Sequence, residues 1–171
     1  MHLSSQRTEN LSKALYAELR NCEIRKPKQE ESEPAFTREV LAPAVLKLLL
    51  DFPKLPFHFR GDGATSQAVP ASALEIPFHP DLAISYSTQH IWAAEVKILR
   101  RTNRQNSIAT ALGQATLYKS RYEHVAVILI DMHPSSRLSQ RQLVNEARKF
   151  GVTIVIRPAL GKVLLPQSSS S

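Results

Sequence analysis

Asp81 follows Pro80, and fourteen residues after that aspartate stand Glu95, Val96 and Lys97. The residues between them read as two β-strands, 82–87 and 91–98, joined by a short polar turn at Thr88, Gln89 and His90. Side chains alternate along a strand, so Glu95 and Lys97 share a face. Ile91 and Ala93 precede them on that face, and Trp92, Ala94, Val96 and Ile98 line the other. A strand apolar on both faces is expected to be central and buried. A carboxylate and an ammonium at the end of such a strand are costly unless they are paired or ligate a metal. Asp81, at the mouth of the neighbouring strand, reaches the same point. Two carboxylates and a lysine converging at a strand end are the groups that metal-assisted hydrolysis of a phosphodiester uses.

The elements that must hold these residues can be read from periodicity. Residues 4–21 predict a helix, with Leu11, Leu15 and Leu19 recurring every four positions. The charged, proline-containing stretch 23–34 reads as a linker or turn. A second helix is expected to start at Thr37, a good N-cap, and to run to Asp51, with Pro43 kinking it or delaying its start. Residues 55–60 predict a first strand and 61–73 a loop. After the two strands around Asp81 and Glu95 comes a helix over 106–122, rich in small residues. Gly113 within it costs about 1 kcal/mol relative to Ala, and close packing on a sheet is a reason to keep it. Residues 124–130 form the plainest buried strand, 139–150 a helix closed by Gly151, and 152–156 a last strand. The tail, 166–171, is expected to be disordered. This order implies an α/β domain, a mixed sheet with helices on its faces.

A chain of 171 residues suffices for one domain with a sizeable core. Its 22 Lys and Arg against 15 Asp and Glu, a net charge of +7, favour a polyanionic partner. The charge is uneven: no acidic residue lies between Glu95 and Glu123, whereas Lys97, Arg100, Arg101, Arg104, Lys119 and Arg121 are all basic. Cys22 is the only cysteine, which excludes an intrachain disulfide and a cysteine zinc cluster. The six histidines lack ligand spacing such as HxxxH, and neither a GxSxG elbow nor a GxxxxGK loop is present. The polar first ten residues are unlike a secretory signal, and no apolar run approaches the roughly 20 residues of a membrane span. A cytoplasmic protein without membrane contact is the expectation.

At Pro80-Asp81, Glu95-Val96-Lys97 and Gln114-Ala115-Thr116-Leu117-Tyr118 the chain resembles the PD-(D/E)XK nuclease superfamily, which has the restriction-endonuclease-like fold. The last segment looks like the QxxxY signature of RecB-like exonucleases and of type I restriction nuclease domains. Its two named residues are i and i+4, on one helix face. Upstream, Glu39 in TREVLAPAVLKLLL is similar to the first-helix glutamate of the superfamily, and FHFRGDGAT resembles the strand and glycine loop of Holliday-junction resolvases. The resemblance covers residues 36–156. It implies an αβββαβ core in a nuclease-like domain over 35–160, preceded by an N-terminal helix and charged linker over 1–34 and followed by a disordered tail, 161–171.

The resemblance further implies a site. Asp81 and Glu95 would hold Mg²⁺, for which Mn²⁺ substitutes, with help from Glu39 through water and from the Val96 carbonyl. Lys97 would orient the attacking water and stabilise charge on the phosphate, while Gln114 and Tyr118 position the phosphate or the lysine. Arg100, Arg101 and Arg104, with Lys119, would grip the nucleic-acid backbone. The implied activity is a Mg²⁺-dependent nuclease acting on DNA, an endonuclease in the first instance. The alternative is a catalytically silent protein of the same fold that binds nucleic acid or a protein partner. The stripe Leu11, Leu15, Leu19 leaves open a homodimer contact or packing on the chain's own core.

Overall fold

Leu11, Leu15 and Leu19 are fully withdrawn from solvent on one face of helix α1 (Ser5–Asn21), and they join the core of this same chain. In a computed structural model, described over residues 2–51, 57–60, 70–73, 76–133 and 137–159, that core is one of two layers about a mixed five-stranded sheet. The strands are β1 (Phe57–Arg60), β4 (Leu82–Tyr86), β5 (Gln89–Leu99), β6 (His124–Asp131) and β7 (Thr153–Pro158), side by side in that order. β1, β4 and β5 are antiparallel neighbours, whereas β5, β6 and β7 run parallel. The parallel steps need crossovers, supplied by α4 (Arg104–Tyr118) and α5 (Arg137–Lys149). Central β5 and β6 are apolar on both faces, as covered parallel strands must be.

One face of the sheet packs against α1 and a helical segment that begins earlier than its sequence suggests. This segment comprises α2 (Glu33–Phe36), a π-helical turn (Thr37–Leu41) and α3 (Ala42–Asp51). Its N-cap is Ser32, whose Oγ accepts from the Ala35 N–H at 3.3 Å, and not Thr37, which continues the helix. Pro34 suits the first turn, where its missing N–H has no partner to lose. Pro43 falls in the first turn of α3, just after the π-helical turn has shifted the hydrogen-bond ladder, so the ring is accommodated without ending the helix.

The other face carries α4 and α5 around Ala93, Leu99, Ala111, Ala115, Tyr118 and Val127. α5 ends at Gly151, whose φ of 67° lets the Val152 N–H turn back to the Ala147 carbonyl. Gly113 does not sit against the sheet as expected. It is exposed, and among the described residues outside its own helical turn nothing lies within 4 Å of where a Cβ would be. Part of the expected loop 61–73 is also ordered: β2 (Ala71–Ala73) pairs with β3 (Ile76–Phe78) in a separate two-stranded sheet. Strands of three residues are too short to show alternation. Residues 61–69 and the tail, 161–171, lie outside the described residues. Among the described residues, no helix is long and apolar enough to cross a membrane.

The pairing of β5 fixes where its side chains and its backbone N–H groups face. A register shift between Ile84 and Ser85 turns Ile91 into the same core layer as Trp92, so it does not share the face of Glu95 and Lys97. Moreover, β4 begins at Leu82 opposite Ala94, so among the described residues β5 has no strand partner on that side beyond Ala94, although β6 accompanies it to Leu99 on the other.

Candidate active site

An unpaired strand edge presents N–H groups from alternate residues, and burying them without acceptors is costly. On the open edge of β5 the acceptors are carboxylates. The Val96 N–H donates to Asp81 Oδ2 at 2.7 Å, and the Ile98 N–H donates to Glu33 Oε1 at 3.1 Å. Asp81 is delivered by the chain entering β4, and Glu33 by the first turn of α2. Lys97 Nζ then lies 2.6 Å from Glu95 Oε1 and 3.3 Å from Glu33 Oε2. On the far side of Glu95, its Oε2 accepts from the Tyr118 hydroxyl at 2.8 Å, and that hydroxyl is also 2.9 Å from the His79 carbonyl. Glu95 is 2% exposed and Tyr118 is fully buried. Three acidic side chains, one ammonium and one phenol therefore meet at a single strand end.

Sharing one ammonium among three carboxylates has electrostatic consequences. Burial, and next the charge of Glu95, push the Asp81 carboxyl up to about 7, against the opposing pull of the Val96 N–H and Lys97. Burial also raises Glu95 above the usual carboxylate range, although Lys97 and Tyr118 favour its charged form. For Lys97, burial opposes the charge, but Glu95, Glu33 and Asp81 outweigh it and hold the ammonium above its ordinary value. The cluster is thus short of positive charge.

The expected site residues divide into those brought together and those used elsewhere. Asp81, Glu95, Lys97 and Tyr118 converge. Gln114 stands one turn before Tyr118 on α4, and its Oε1 is buried without a hydrogen-bond partner among the described residues. Glu39 is not in the cluster. Its side chain is half exposed and pairs with Arg25 at 2.9 Å, an arginine that also holds Glu31 and stacks over the Phe36 ring. Glu33 occupies the place expected of Glu39, because the helix starts at Ser32. Arg104 is committed to structure: its guanidinium forks onto both oxygens of Asp131 at 2.6 Å, and Asp131 is fully buried at the end of β6. Arg100 donates to the Glu31 carbonyl at 2.8 Å. Arg101 and Lys119 are exposed.

Glu33 and Asp131 are the two residues that reading the sequence overlooked. The signal for Glu33 was Ser32-Glu33-Pro34, an N-cap followed by a proline in the first turn. For Asp131 it was an acid ending the apolar run HVAVILI. No protein-family model, curated protein or solved structure matches this chain.

The donor set can be compared with the needs of a metal ion. Asp81, Glu95 and Glu33 offer carboxylate oxygens, the ligands that hard divalent cations prefer, and the depressed acidity of Asp81 marks a place where added positive charge would be stabilised. Among the described residues, no three or more His, Cys, Asp or Glu side chains already stand in an arrangement that could hold a metal. The Lys97 ammonium lies between Glu95 and Glu33 instead. The cluster suits a divalent cation in kind, and its geometry is that of the lysine-bridged state.

Proposed function

We propose that this chain is a divalent-metal-dependent nuclease of the PD-(D/E)XK type, on a restriction-endonuclease-like core, that cleaves DNA internally. The observation that carries this reading is the convergence of Asp81, Glu95, Glu33 and Lys97 at the open edge of β5. The order of a helix, antiparallel strands, a crossover helix and a parallel strand around that edge agrees with such a core.

Asp81, Glu95 and Glu33 are the residues that would hold Mg²⁺ or Mn²⁺. Such an ion, when bound, polarises the scissile phosphate and lowers the pKa of a bound water. Lys97 supplies an ammonium with three donors, which can hold a water by one N–H and donate to a phosphate oxygen by another, where negative charge grows. The Tyr118 hydroxyl, within reach of the His79 carbonyl as well, orients the Glu95 carboxylate from behind by donating its one proton to Oε2. The free Oε1 of Gln114 is an acceptor on the same helix face, able to orient a water. Asp81 is largely protonated below about pH 7 without added cation, so activity should rise with pH through that range as its carboxylate becomes available.

One observation favours a second reading, a catalytically silent protein of the same type. Both oxygens of Glu95 are already engaged, by Lys97 and by Tyr118. Incubation with supercoiled plasmid and with end-labelled single- and double-stranded DNA, in Mg²⁺, Mn²⁺ or EDTA, separates the two. The nuclease reading predicts metal-dependent nicking or linearisation that is lost in Lys97→Ala. Absence of cleavage on every substrate with either metal would reject it in favour of the silent reading.

A further inference from the structure

Arg141, Val144, Asn145 and Arg148 lie on one face of α5, at the helical spacing i, i+3, i+4, i+7. Together with Arg20 from the last turn of α1, and over a floor of Ile154 and Ile156 from β7, they line a cavity of about 550 Å³. Among the described residues, no carboxylate lines it. Glu146, the one acid of α5, is 2.8 Å from Lys149 instead. Arg20, Arg141 and Arg148 have no ion-pair partner among the described residues. This contrasts with Arg25 and Arg104, each of which is neutralised by an acid. Three guanidiniums from two elements lining one concave site, with no ion-pair partner among the described residues, favour a positive potential there. Guanidinium forks match the oxygens of a phosphate, and an apolar floor beside an amide accepts the flat, partly polar body of a nucleobase.

We propose that this cavity binds phosphorylated nucleosides, with Arg20, Arg141 and Arg148 on the phosphates, as a second site distinct from the carboxylate cluster. Ile154 and Ile156 are in register with Val127 and Leu129 of β6, which are in turn in register with Glu95 and Lys97. The cavity therefore stands level with Lys97 but two strands away, roughly 10 Å by strand spacing. It shares no residue with the carboxylate cluster, so it does not depend on the chain being a nuclease. The shared ligand chemistry has two sources, a nucleotide within a nucleic-acid strand and a free mononucleotide.

Anisotropy of a fluorescein-labelled single-stranded oligonucleotide, titrated with the full chain in EDTA, tests the proposal without any catalytic step. Arg141→Glu/Arg148→Glu is expected to raise Kd at least about tenfold and to flatten the dependence of log K on log salt by about 1.4, the value for two lost contacts to a single strand. Both positions are exposed, so the fold should persist, and Arg20→Gln on a different helix should weaken binding in the same direction. Arg7→Glu/Lys47→Glu makes the same change in net charge elsewhere and should cost much less. Competition by AMP that is lost in the Arg141→Glu/Arg148→Glu chain identifies a free nucleotide as the source, and failure of AMP to compete identifies the strand. Equal weakening by the two charge-reversed pairs, or no binding of oligonucleotide or AMP by wild type, would overturn the proposal.

Discussion

Replacing Asp81 with asparagine should stabilise the metal-free protein at alkaline pH and not at acidic pH. The folded protein holds the Asp81 carboxyl at about 7, against an ordinary value of 3.8, so it keeps a proton that the unfolded chain has already released. A carboxyl whose folded pKa is raised contributes stability that is full below the unfolded value and is lost as pH rises through the folded one. At about 1.4 kcal/mol for each pH unit between the two, the ceiling is about 4 kcal/mol. Asp81 keeps partial solvent access, which reduces the expected effect to about 2 kcal/mol. Asparagine removes the titration while its amide oxygen can still accept from the Val96 N–H. Urea unfolding in EDTA at about pH 4.5 and pH 8 should show wild type losing about 2 kcal/mol more than Asp81→Asn between the two. The variant should be the more stable protein at pH 8. Parallel pH profiles, or a variant less stable than wild type at pH 8, would refute the reasoning that burial and Glu95 raise this carboxyl.

Arg104→Ala leaves Asp131 buried without its guanidinium and should cost about 3–5 kcal/mol in chemical denaturation. Gly113→Ala, at an exposed helical position with open space for a Cβ, should add up to about 1 kcal/mol, read as a higher urea midpoint with an unchanged slope. On the proposed function, Glu33→Gln removes a carboxylate that would hold the ion and should lower Mg²⁺-dependent DNA cleavage by at least the roughly tenfold that even a supporting group costs, while Glu39→Gln should leave the rate unchanged. Equal effects of those two substitutions would remove Glu33 from the site.

Strand parity was enough to place Glu95 and Lys97 together, because a period of two leaves no choice of face over a few residues. It failed at Ile91, where the shifted register between Ile84 and Ser85 breaks the alternation. The i, i+4 spacing of Gln114 and Tyr118 made their shared helix face legible, and Tyr118 does reach Glu95. What stayed hidden depends on long-range pairing. Nothing local to β5 reveals that β4 stops opposite Ala94 and leaves an edge for carboxylates to cap. Glu33 was obscured because a dense run of charge and proline reads as linker, whereas Ser32 and Pro34 start a helix there. The arginines after β5 looked like a free basic loop, since the partner of Arg104 is an aspartate 27 residues further along.

Mn²⁺ binding, measured by calorimetry on wild type and on Glu95→Gln, reads directly whether the carboxylates at the edge of β5 hold a divalent cation. Wild type is expected to show a saturable site that tightens as pH rises through about 7, with Asp81 giving up its proton, and that is abolished in Glu95→Gln. Absence of saturable binding at any pH, or equal binding by the two proteins, would contradict that expectation and leave the lysine-bridged carboxylates as a purely structural cluster.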